Sequence, residues 1–236
     1  MLVSICMATK DKAEYLDRTL ESIRNQVVPF EYEIIVADDG SVDNTKKICD
    51  IWGVDKYSYI ENKVYRNPSV ARNVAYKRAS GDIIIAQSDD VMHVDNAIEV
   101  LCNRLHDNEF IIATVHNWDV IKNERKGLYT GMGWQRPFFF LGSLWRKDLY
   151  AVGGNDEEFT GLGYDDDWFG DCLIKGLRLR CVYRTDVKGH HQDHPRPLNL
   201  ADLVQESKQL YKKKVQLAKE GKILWQASGG PWEYTK

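Results

Sequence analysis

The chain lacks the features that mark several special classes of protein. Its five cysteines, Cys6, Cys49, Cys102, Cys172 and Cys181, are odd in number, far apart and without a CxxC pair. That spacing suggests neither a disulfide framework nor a zinc knuckle, and reads as reduced thiols buried as small hydrophobes. No run approaches the ~18 apolar residues of a membrane-crossing helix, so no integral membrane segment is expected. The apolar start, Met1 to Ala8, is short, has no basic leader and meets Lys10-Asp11-Lys12. It reads as a first strand and not a signal peptide, and a cytoplasmic location is the expectation. Excess positive charge is also missing: 32 Lys and Arg against 35 Asp and Glu leave a net charge of −3. Nothing in that balance attracts nucleic acid or an anionic membrane, and no nucleic-acid partner is expected. There is no internal repeat and no low-complexity tract. Residues 8–14 contain no glycine, which counts against a glycine-rich phosphate loop after the first strand.

What is present suits one domain with an appendage: 236 residues, 43% of them hydrophobic. Strand and helix signals alternate through the first half. Leu2–Ala8 is a buried-strand run, followed by Leu16, Leu20, Ile23 and Val27 at helical spacing. Tyr32–Ala37 predicts a second strand ending at the turn signal Asp38-Asp39-Gly40-Ser41. Asp43–Trp52 predicts a helix, Tyr57–Glu61 a strand, Ser69–Ala79 a helix, Asp82–Ala86 a strand and Asp95–Leu105 a helix. This alternation predicts an α/β, Rossmann-like, mostly parallel sheet flanked by helices. Further on, Phe110–Val115 reads as a strand, Lys122–Arg136 is hard to assign, and Phe138–Trp145 is aromatic and apolar. Asp165 opens a helix, Leu179–Tyr183 is a strand, and Asn199–Glu220 is a long helical extension. The end, around Ser228-Gly-Gly-Pro231, reads as a loose tail.

In open α/β sheets ligands sit beyond the carboxyl ends of strands. Three polar clusters fall there: Thr9-Lys10-Asp11, Asp38-Asp39 and Ser88-Asp89-Asp90. The last matters most. The apolar run Ile83–Ala86 stops at Gln87-Ser88 and two adjacent carboxylates, which repel unless a cation lies between them. A hard divalent ion, Mg²⁺ or Mn²⁺, supplies that cation, and such an ion also holds substrate phosphates. Asp90 is the first expected ligand. Asp89 shares the ion or reaches a ribose, and His93 and Asp95 lie near in sequence. His190, His191 and His194 cluster within five positions. One of them, His191 first and His194 next, is expected to complete the metal sphere. Asp165-Asp166-Asp167 exceeds what a helix N-terminus needs, and one partly desolvated acid there makes a general base. Trp134, in a glycine-rich stretch, is a candidate aromatic platform for a ligand.

The chain resembles the inverting glycosyltransferases of family 2, with the GT-A fold. The likeness covers residues 1 to about 195. It rests on Val3-Ser4-Ile5-Cys6-Met7-Ala8-Thr9, Ile35-Val36-Ala37-Asp38-Asp39-Gly40-Ser41, Asn67-Pro68-Ser69-Val70-Ala71-Arg72-Asn73 and Ser88-Asp89-Asp90. Downstream it continues through Gly153-Gly154-Asn155-Asp156 and Gly163-Tyr164-Asp165-Asp166-Asp167. Six motifs in the family's order are specific where any one is weak. The resemblance implies a UDP-sugar donor, a carbohydrate acceptor and a Mn²⁺ or Mg²⁺ cofactor. It implies Asp39 at the uracil edge, Thr9 and Asp11 lining the nucleotide pocket, and Arg72 near the nucleotide. It puts Asp165 in the base position, with Asp166 one step away. Two departures stand out: Gln87 where the family often has an aspartate, and Tyr164-Asp165 where it usually has Glu-Asp.

The expected organisation is a GT-A domain over 1–198, with a nucleotide-binding half (1–115) and an acceptor-side half (116–198), followed by a C-terminal helix and tail (199–236). The expected activity is metal-dependent, inverting sugar transfer in glycan or polysaccharide synthesis. The alternatives are an inactive sugar- or nucleotide-binding module, a sugar-nucleotide pyrophosphorylase, and a domain that docks into an assembly through residues 199–236.

Overall fold

A computed structural model of the chain describes residues 1–64, 66–129, 133, 135–195 and 199–234. Trp134 lies outside the described residues. The centre of the fold is β1 (Leu2–Thr9), flanked in parallel by β2 (Glu31–Asp38) and β4 (Ile83–Ser88), with β3 (Lys56–Tyr59) parallel beyond β2. Strands this apolar are stable only when both faces are covered. Alternation along β1 serves both: Val3, Ile5 and Met7 join one buried cluster and Cys6 the other. Helices α1 (Ala13–Arg24) and α2 (Thr45–Ile51) lie on the first face, α3 (Ser69–Lys77) on the second.

The remaining strands, β5 (Val91–Val94), β6 (Glu109–Asp119), β7 (Glu124–Leu128), β8 (Leu141–Trp145) and β9 (Arg180–Gln192), complete one nine-stranded sheet in the order β3-β2-β1-β4-β8-β6-β9-β5, with β7 paired to β6. The fold is the α/β class expected: β3, β2, β1 and β4 pair in parallel, β6 pairs in parallel with β9, and β8 runs antiparallel between the two groups.

Several elements differ from expectation. α1 ends at Arg24, leaving Val27 91% exposed. A short strand, β5 (Val91–Val94), follows Asp90 directly, and α4 (Ala97–Asn103) starts after it. β9 runs from Arg180 to Gln192, well past Tyr183, and carries His190 and His191 into the sheet. It pairs with β5 through Val91↔His191 and with β6 through Asn117↔His191. Gly189 permits this closeness, since a Cβ there would lie 2.7 Å from Val91 Cγ1.

After α5 (Arg146–Val152), α6 (Asp165–Asp171) continues into a π-helical turn, Cys172–Gly176. The long α7 (Leu200–Lys219) leads to a tail that is docked, not loose. Ala227 N bonds Val152 O at 2.8 Å, Trp232 N bonds Tyr150 O at 2.9 Å, and Lys77 lies over the Trp232 ring. Composition misled because Gly153 and Gly154 open the seat: a Cβ on Gly154 would meet the Trp232 ring at 2.3 Å.

Candidate active site

The parallel register aligns the strand ends. Thr9 sits opposite Asp38, and Ala8 opposite Ser88. The acidic clusters therefore converge on one edge, where Thr9, Lys12, Asp39, Arg66, Arg72 and Asp90 are among the residues lining a first cleft. Thr9, Asp39, Arg72, Asp89 and Asp90, named from the sequence, all line this cleft. Asp11 is not among them. It stands in a left-handed turn and accepts a hydrogen bond from Val42 N at 2.7 Å, while its own N–H donates to Ser41 Oγ at 2.8 Å. Asp11 therefore bolts the β1–α1 loop to the turn after β2, facing a neighbouring cleft.

The two adjacent acids have separate environments. Asp90 is 3% exposed, its Oδ2 2.5 Å from Lys12 Nζ and 3.1 Å from His194 Nε2. Its Oδ1 is buried without a hydrogen bond and faces His191 Nε2 at 3.6 Å. Burial opposes the charge of Asp90, but Lys12, His194 and His191 outweigh it and hold the carboxyl well below its usual range. Asp89 meets Lys12 Nζ only at 3.4 Å, and burial raises its carboxyl. Lys12 stays protonated: burial works against its charge, and the two carboxylates more than restore it.

β9 sets the histidines. Neighbouring residues on a strand point to opposite faces. His190 stacks on Trp118, with ring centroids 3.7 Å apart. His191 turns the other way, stacks on Tyr129, and its Nδ1 lies 2.7 Å from Asn117 Oδ1. That contact fixes the ring of His191 and turns its Nε2 toward Asp90. Asp90, His191 and His194 bring one donor atom each to within 4.8 Å of one another. One carboxylate and two imidazoles, with an unpaired buried oxygen among them, fit a divalent ion. Asp89 lies outside this triad. His93 and Asp95 do not contribute either: Asp95 is exposed in a turn, and His93 Nε2 is 2.7 Å from Gln87 Oε1. Burial pushes His93 down to about 3, so it is neutral, and Gln87 serves as its partner at the position the family often fills with an acid.

Asp39 is gripped by Arg66, whose Nε lies at 3.0 Å and Nη2 at 2.5 Å, and by Asn62 Nδ2 at 2.7 Å. Asp38 is structural, accepting from Tyr57 Oη at 2.6 Å and Ser41 N at 2.7 Å.

Beside the first cleft is a second, lined by Tyr129, Arg136, Phe138, Tyr164, Asp165 and Asp166 among others, with Arg72 and Pro68 in both walls. Three consecutive acids coexist because successive helical residues project roughly 100° apart. Asp167 forms a two-point pair with Arg136 at 2.6 and 2.5 Å. Asp166 accepts from Arg72 Nη1 at 2.9 Å and Phe139 N at 3.2 Å. Asp165 reaches the same Nη1 at 3.5 Å. Burial, against the pull of Arg72 and aided by Asp165 and Asp167, raises Asp166 to about 7.

Sequence reasoning missed Lys12, Arg66, Asn117 and Arg136. Each is an ordinary polar residue whose partner is distant in the chain, as with Arg136 and Asp167, 31 positions apart.

A sequence profile of glycosyl transferase family 2 matches residues 4–156. An uncharacterised glycosyltransferase of Bacillus subtilis, YfnE, is 30% identical over 214 residues, covering 81% of this chain and 50% of YfnE. The chain thus spans half that relative's length, and less of other curated relatives. Among solved structures, Staphylococcus aureus TarS 1-349 in complex with UDP superposes with a TM-score of 0.66 at 16% identity, covering 93% of this chain and 72% of that one. The mannosyltransferase PcManGT from Pyrobaculum calidifontis, in complex with GDP-Man and Mn²⁺, gives 0.63 at 18% identity, covering 91% and 64%. These likenesses establish the GT-A fold.

Proposed function

Because the chain belongs to glycosyl transferase family 2, we propose that it moves a sugar from a nucleoside diphosphate sugar, UDP-linked, to a hydroxyl of a carbohydrate acceptor, with inversion and with a divalent metal. The observation that carries this reading is the pair of adjoining clefts. One is lined by Asp90, whose carboxylate faces the imidazoles of His191 and His194, the other by a buried carboxyl of raised pKa, and Arg72 lines both.

Asp90 and His191 are assigned to the metal, with His194 completing the set. Two imidazoles suit Mn²⁺ better than Mg²⁺, which prefers oxygen ligands. Such an ion, when bound, offsets the charge on a departing diphosphate. Thr9, Asp39 and Arg72 line the nucleotide's cleft, with Asp39 at the uracil edge. Asp89, beside Lys12 in the same cleft, is assigned to the ribose. Asp166 is the general base, since a carboxyl near 7 is matched to neutral operating pH. It takes the proton from the acceptor hydroxyl in the second cleft, opposite the leaving group, and configuration inverts. Asp165, facing the same cleft, is the second candidate. Residues 1–115 supply most of the donor side and 116–198 most of the acceptor side, and Leu200 and Val204 of α7 add to the acceptor wall.

The test is UDP release from a panel of UDP-sugars with Mn²⁺, with and without glycan acceptors. Wild-type protein is expected to release UDP, Asp90→Ala to lose metal-dependent release, and Asp166→Asn to bind UDP without turnover. Binding without turnover of any UDP- or GDP-sugar by wild-type protein would make it a sugar-nucleotide binding module.

A further inference from the structure

We propose that Arg72 couples the two clefts: one guanidinium is shared between the donor's diphosphate and Asp166, so each weakens the other's hold on it. The inference rests on the donor and base assignments above. Its own basis is geometric. Arg72 is 8% exposed on α3 and lines both clefts. Its contacts with the aspartates both run through Nη1, at 2.9 Å to Asp166 and 3.5 Å to Asp165. A guanidinium carries five N–H donors in a fixed fork, more than the contacts through Nη1 engage, so one group can serve two anions. The base takes the proton of the attacking hydroxyl on one face of the anomeric carbon and the β-phosphate leaves from the other, so base and diphosphate lie within about one sugar's breadth of each other. Arg72, which lines both clefts beside that line of attack, is placed to meet both.

Two consequences follow from linkage. When a diphosphate draws on Arg72, Asp166 loses part of the positive charge that favours its ionised form and becomes a stronger base. By reciprocity, neutralising Asp166 releases Arg72 and tightens the diphosphate. The charged and titratable groups that face Asp166 are Arg72 and Tyr76 from α3 and Asp165 and Asp167 from α6, with Arg136 beyond Asp167. Asp167 is already neutralised by Arg136, which leaves Arg72 as the cation a ligand in the first cleft can redirect.

The experiment is isothermal titration of the full chain with UDP and MnCl₂ at pH 8, in wild type, Asp166→Asn, Arg72→Gln and the double variant. Asp166→Asn is expected to tighten UDP by about 5-fold or more. In the Arg72→Gln background the same change should have little effect, closing a double-mutant cycle with a clear coupling term. Near pH 7, titrations in buffers of different ionisation enthalpy should show proton uptake by wild type on binding UDP, reduced in Asp166→Asn. An unchanged or weaker UDP affinity in Asp166→Asn overturns the coupling. So does tightening that persists without Arg72, which would mean direct repulsion between Asp166 and the diphosphate. Should either arginine variant fail to fold, the proton-uptake comparison of wild type with Asp166→Asn decides alone: equal uptake overturns the proposal. A wild-type protein that binds no UDP overturns the functional reading, and the coupling with it.

Discussion

Asp166→Asn should inactivate the protein and stabilise it at the same time, with the full stabilisation reached only at alkaline pH. Lifting a carboxyl from 3.8 to about 7 corresponds to about 4 kcal/mol of preference for its neutral form. Relaxation and water at the cleft wall reduce this, and about 2 kcal/mol is a working figure. Because the folded-state pKa is raised, the folded protein holds the proton more tightly than the unfolded chain. Ionised Asp166 therefore costs stability above pH 7. That cost shrinks as pH falls through the window between 7 and 3.8, and is gone below it. Asparagine imposes the neutral state at every pH. Its gain should be full at pH 8, worth about 4–8 °C in Tm for a chain of this size. At pH 5 it should be less than about half of that. The same substitution removes the base and should lower turnover by about 10²–10⁴-fold. Scanning fluorimetry at both pH values, beside a UDP-release assay, reads both effects. A variant that is destabilised at pH 8, or equally stabilised at both, would refute the reasoning about burial; normal turnover would refute the base assignment.

Two other perturbations probe the scaffold. Gly189→Ala puts a Cβ 2.7 Å from Val91 Cγ1, so it should cost about 1–3 kcal/mol and, by moving β9 from β5, weaken Mn²⁺ binding at His191; a Mn²⁺ titration and a melting curve check it. Lys214, 6% exposed, pairs with the fully buried Asp156 at 2.9 Å, so Lys214→Met should lower stability by about 3 kcal/mol, and Lys214→Met with Asp156→Leu should recover most of it by denaturant unfolding.

The sequence disclosed the elements whose signal is local. β1, β2 and β4 are predominantly apolar runs, and their common ending at polar clusters puts Thr9, Asp39 and Asp90 together on the evidence of pattern alone. β5 was hidden because Val91-Met-His-Val94 is four residues long and follows two acids. Most of β9 was hidden because Arg184, Asp186 and Lys188 interrupt its apolar pattern, although Val187 faces the core. That miss had a chemical consequence. The sequence put His191 first and His194 next without a reason to set His190 aside; on a strand, His190 and His191 are forced to opposite faces, and among the described histidines His191 and His194 meet Asp90. The long-range partners could not be read at all. Lys12 reaches Asp90 across 78 positions. Three consecutive acids look interchangeable on paper, and only the turn of α6 gives each its own partner.

The central claim is a cation site built on Asp90 beside a diphosphate-binding cleft. Electron paramagnetic resonance titration of Mn²⁺ in the presence of UDP, on wild type and Asp90→Ala, tests it most directly. The account predicts UDP-dependent binding of Mn²⁺ to the wild type and its loss in Asp90→Ala. Equal Mn²⁺ binding by both proteins would contradict it.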